Sequence, residues 1–82
     1  MSTTMYFDAD LYPANSEGRA DTQKPKTYVE IFRTSYFGDD QLFLRVCPSK
    51  GEQITLHLTK EQANELAEGL TNATNYIGYD NR

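Results

Sequence analysis

Few side chains in this sequence could carry out a reaction. Cys47 is the one cysteine and His57 the one histidine among 82 residues. They fall in successive period-two runs, and brought together they would form a thiolate–imidazole pair suited to nucleophilic catalysis. No third group accompanies them, and the alternative is a half-buried thiol beside an ordinary histidine. A lone histidine without a second His or Cys nearby lacks the ligand count of a zinc site. Asp39 and Asp40 follow Gly38, where they read as turn residues: adjacent carboxylates diverge, and the spacing of a calcium loop is missing. There is no glycine-rich phosphate loop and no nucleophile elbow. The residue types point away from an enzyme, a metal and a cofactor.

What remains is surface chemistry. Asp8 and Asp10 alternate with Tyr6 and Tyr12, so an extended segment over residues 5–12 would present an acidic, tyrosine-rich stripe. Glu61, Glu65 and Glu68 form an acidic ridge on a helix. Such carboxylates would steer the chain toward a basic partner, raising the association rate more than the affinity. A second surface gathers Tyr28, Phe32, Phe43 and Arg45 on one side of a sheet, with Tyr36 and Phe37 at the adjoining hairpin. Aromatics with arginine are typical of binding hot spots. The same set could stack single-stranded bases, although the surrounding positive charge that such binding uses is missing. Two further possibilities stay open: a homodimer through this face, or a second small core closed by Met5, Phe7 and Leu11.

These residues need elements to position them. Residues 28–34, 41–47 and 54–58 each alternate, with Val29, Ile31, Leu42, Leu44, Val46, Ile54, Leu56 and Leu58 all falling on one side. Gly38-Asp39-Asp40 and Pro48-Ser49-Lys50-Gly51 supply turns between them. Thr59 with Gln62 makes a capping box, and Ala63, Leu66, Ala67, Leu70, Ala73, Thr74 and Ile77 share one helical face. Gly69 is either a weak point in that helix or a site of close packing. The expected fold is α+β: an antiparallel meander of three to four strands, with one C-terminal helix packed on the aliphatic face. Residues 1–26 should hold an N-terminal strand (about 4–12) and a polar loop or arm, residues 27–78 the β-β-β-α core, and residues 79–82 a loose tail.

Composition narrows the function classes. Eight Lys and Arg stand against 12 Asp and Glu, a net charge of −4, and the charge is spread evenly along the chain. That balance disfavours bulk binding to phosphate backbones. A single thiol builds no internal disulfide and suits a reducing compartment such as a cytoplasm. No run of 18 apolar residues would span a membrane. Residues 1–5 lack the features of a secretory signal, which makes the Asn72-Ala73-Thr74 sequon a chance match.

A meander plus one helix over residues 28–77, a helix opening LTKEQANELAEGL, an acidic balance and a polar arm together resemble the small acidic accessory proteins of bacteriophages, including anti-CRISPR and other host-takeover inhibitors. The resemblance implies a non-enzymatic protein-binding module in the host cytoplasm. It would block a basic surface of a host or defence protein through a mixed aromatic and acidic contact. A charge of −4 over 82 residues departs from strong DNA mimics, whose acid density is far higher.

Overall fold

The computed structural model describes residues 2–78. The strands are β1 (Ser2–Leu11), β2 (Thr27–Tyr36), β3 (Asp39–Cys47) and β4 (Ile54–Leu58), followed by the helix α1 (Lys60–Asn75). The strands form one open antiparallel sheet in the order β1-β2-β3-β4. This is the expected α+β meander, with the fourth strand present and the helix C-terminal. The expected tail over residues 79–82 lies outside the described residues.

Register sorts the side chains. Val29, Val46 and Ile54 stand in one row, Ile31, Leu44 and Leu56 in the next, and Arg33, Leu42 and Leu58 in a third. Phe7, Ala9 and Leu11 of β1 extend the same face opposite Ile31, Val29 and Thr27. Because strand side chains alternate, the intervening residues make the other face. That face holds Asp8, Asp10, Tyr28, Glu30, Phe32, Phe43, Arg45, Cys47, Thr55 and His57. The sheet is therefore aliphatic on one side and polar-aromatic on the other.

Two sequence-based expectations are corrected. The helix does not cover the aliphatic face. Only Ala63 of α1 is half-buried, and every other helical residue is exposed. Leu66, Leu70 and Ile77 stay uncovered, as do Ile54 and Leu56 on the sheet. The cause lies in the junction, where a single residue, Thr59, separates β4 from α1. The Gln62 N–H donates to Thr59 Oγ1 and the Thr59 N–H donates to Gln62 Oε1, both at 3.0 Å. This capping box fixes the direction in which the helix leaves β4. Secondly, β1 does not lie over the aromatic face. It joins as an edge strand, so Phe7 and Leu11 point to the aliphatic side, and of the three expected lids only Met5 faces the aromatics, opposite Phe32. Of the polar loop or arm expected over residues 13–26, the structure shows a loop. The Asn15 side chain accepts from Glu17 and Arg19 N–H groups, and Ala14 bridges Ala20.

Open space surrounds Gly69, so packing within the chain does not require it. With few tertiary contacts, α1 relies on its own caps, as a helix of this length is marginal alone. Thr59→Ala removes one acceptor and is expected to destabilise α1 by about 1 kcal/mol. Circular dichroism should register that as lost helicity while the sheet signal persists.

Candidate functional site

The polar-aromatic face is tied together across strands. Arg45 Nη1 donates to Glu30 Oε1 at 3.0 Å and Arg45 Nε to Thr55 Oγ1 at 3.2 Å. The guanidinium also lies 4.4 Å from the Phe32 ring centre, a cation–π geometry. Phe32 stacks on Phe43 at 5.4 Å, and Phe43 meets His57 edge-on at 5.6 Å. His57 Nε2 lies 2.7 Å from Gln41 Oε1, and Gln41 Nε2 donates to Asp39 Oδ1 at 2.7 Å. The hydroxyl of Tyr28 donates to Asp8 Oδ2 at 3.3 Å. Desolvation, and then the charges of Asp8 and Glu30, push Tyr28 ionisation above the ordinary tyrosine range, because each disfavours a phenolate there.

Glu30 and Phe32 are the buried members of this face. Tyr28, Phe32, Phe43 and Arg45 do converge as the sequence pattern indicates. Phe32, however, is sealed beneath Arg45, and Arg45 is paired with Glu30, so neither a free ring nor a free cation is presented there. The acidic residues do not converge. A register shift between Met5 and Phe7 leaves Tyr6 as a bulge. Tyr6 thereby turns toward Arg33, 5.8 Å away, and leaves the side shared by Asp8 and Asp10. Tyr12, past the end of β1, has Lys26 Nζ 4.8 Å from its ring centre. Glu61, Glu65 and Glu68 sit on a helix that follows β4, whereas Asp8 and Asp10 sit on β1 at the opposite edge of the sheet.

Cys47 and His57 are also kept apart. His57 pairs with Phe43, and Cys47 is four residues further along β3. That places them roughly 13 Å apart along the strand. Cys47 Sγ instead lies 3.7 Å from Gln53 Oε1. The thiolate–imidazole pair is not assembled. Among the described residues no group of three His, Cys, Asp or Glu side chains gathers as metal ligands would, and no helix is long and apolar enough to cross a membrane.

The site that the sequence pattern underweighted is the β2–β3 hairpin tip. Phe37 and Gly38 form a two-residue loop with φ of 52° and 80°, and Tyr36 pairs with Asp39 across it. Positive φ at both positions is the type I′ arrangement, which favours Asn-Gly. Phenylalanine at the first position is strained. Phe37 is nevertheless 91% exposed, touching Tyr36 edge-on at 4.4 Å. Asp39 and Asp40 follow directly. The signal in the sequence was an aromatic in the slot where a two-residue turn calls for asparagine.

The central ion pair can be tested. Arg45→Met leaves the Glu30 carboxylate buried without its partner and is expected to cost about 2 kcal/mol. That is less than a fully buried pair would lose, since the Arg45 side chain is 32% exposed. Adding Glu30→Met should recover part of the loss, as read by chemical denaturation at neutral pH. A double variant less stable than the single one would show that the pair is not the governing term. No protein-family model, curated protein or solved structure matches the chain, so its function is read from this geometry.

Proposed function

We propose that this chain is a non-enzymatic protein-binding module, of the kind phages use to occlude a basic surface of a host or defence protein in the host cytoplasm. The observation that carries the reading is Phe37. A bulky side chain in the left-handed region lowers stability by on the order of 1 kcal/mol, and Phe37, 91% exposed, touches only the ring of its neighbour Tyr36 in return. Strain of this kind at an exposed loop points to function. With Tyr36 beside it and Asp39 and Asp40 behind it, Phe37 forms an aromatic knob backed by carboxylates. It suits a hydrophobic socket rimmed by Lys or Arg.

The carboxylates of Asp8, Asp10, Glu61, Glu65 and Glu68 lie at opposite margins and do not make one contact patch. In this reading they act at longer range, steering encounter with a basic partner. Tyr6 and Tyr12 belong to different surroundings and are assigned no direct contact. Stacking of single-stranded bases is less well supported, because Phe32 is covered and Arg45 is neutralised by Glu30.

Phe37→Asn provides the test. It should raise stability by about 0.5–1 kcal/mol, since asparagine tolerates this turn, while abolishing capture of the protein that the native chain retains from host lysate. Asp8→Lys with Asp10→Lys should slow association with that protein at low salt and leave dissociation nearly unchanged. Undiminished capture by Phe37→Asn would remove the knob from the account. Sub-micromolar, salt-sensitive binding of a labelled oligonucleotide would replace the reading altogether.

A further inference from the structure

Among the described residues, Ile54 and Leu56 of the aliphatic sheet face and Leu66, Leu70 and Ile77 along the helix are left uncovered, and only the first turn of α1, around Ala63, borders the sheet. The fold measures 16 Å in its shortest dimension, with a radius of gyration of 15.1 Å, against about 12 Å for a compact chain of this length. Its accessible area is 6892 Å², where a folded monomer of this length exposes roughly 5,000 Å². Deducting about 1,000 Å² for the five residues outside the described span, an upper bound taken from an unfolded chain, still leaves an excess of about 900 Å². A standard interface takes about 800 Å² from each partner.

We infer that a second copy of this chain covers this surface, the helix of each protomer lying across the aliphatic sheet face of the other. Three features select a copy over an unrelated partner. The chain carries both complementary halves, a flat aliphatic sheet and an unpacked amphipathic helix, and a two-fold axis satisfies both at once. The lengths agree: the 16 residues of α1 span about 24 Å, enough to cross four strands about 14 Å wide from first axis to last. The charges also permit it. Asp8, Asp10 and Glu30 project from the opposite sheet face, and a 100° step per residue puts Glu61, Glu65 and Glu68 on the far side of the helix from Leu66 and Leu70. Apart from Asp40, which shares the aliphatic side with Arg33 at the hairpin end of the sheet, two chains of net charge −4 can thus meet without carboxylates facing one another. The capped Thr59 junction, which keeps α1 off its own sheet, holds it out as an arm.

Sedimentation equilibrium on the full chain at micromolar concentration should give twice the chain mass. Leu44→Lys risks unfolding the sheet, so Leu70→Lys carries the test. Leu70 is 61% exposed within one chain, and its substitution leaves the protomer's own packing intact. Association should weaken by more than about tenfold, because a charge enters the apolar contact, with the circular dichroism of the assembled sheet retained. A native chain that sediments as a monomer and melts at a temperature independent of concentration would overturn the inference. So would a dimer indifferent to Leu70→Lys. Neither readout involves the hairpin tip, so a monomer that still captures its partner through Phe37 would sink this inference and leave the proposed function standing.

Discussion

Glu30 and Phe32 stand two residues apart on the same face of β2, and Arg45 of β3 lies over both. They are the buried residues of the described structure, so the rest of the sheet is organised around that contact. It combines a charge-assisted hydrogen bond with a cation resting on an aromatic face, and each part restricts the other. The pair does more than hold two strands. It fixes β2 against β3 in the register that puts Phe32 beside Phe43, and that places every aliphatic residue on the reverse side. A slip by one residue would turn Arg45 away from Glu30 and toward the side of Val29 and Ile31.

From that register come two surfaces with different chemistry. One is closed upon itself by polar and aromatic contacts: Tyr28 with Asp8, Arg45 with Glu30, Thr55 and Phe32, and Phe32 through Phe43 to His57. The other is a field of valine, isoleucine and leucine, with Arg33 toward the hairpin end, over which the described residues lay no second layer. A single layer cannot bury both of its faces, and stable domains supply a second layer. Here the material for one exists, as the stripe of Leu66, Leu70 and Ile77, but the stiff turn at Thr59 directs it elsewhere. The hairpin tip departs from economy in a different way. A residue poorly suited to its backbone angle is displayed to solvent, where a cheaper residue would close the same turn. With an apolar side left open and a strained knob at one end, the chain is a small scaffold whose exposed parts are directional.

Much of this was legible in the residues. Alternation gave β2, β3 and β4, and the seven-member apolar stripe and the Thr59–Gln62 pair gave α1. The composition of both faces of β2, β3 and β4 followed from parity alone. Three things were not legible, each for a physical reason. The bulge at Tyr6 inserts one unpaired residue and reverses parity within β1, and no turn or glycine there announces it. The direction of α1 depends on a one-residue junction, where a few degrees of backbone rotation decide between a roof and an arm. The separation of Cys47 from His57 depends on register between strands of unequal length. Hydrophobic periodicity says which side a residue faces but not how far along its neighbour it lies.

If a second chain covers the aliphatic face of each sheet, methyl contacts must cross between chains. Nuclear Overhauser contacts in a sample mixed from isotope-labelled and unlabelled chains examine that directly. The methyl groups of Leu44 and Leu56 should show contacts to Leu66 and Leu70 that cross from labelled to unlabelled chains. The same contacts arising only within a labelled chain would contradict it, by showing that α1 folds back over its own sheet.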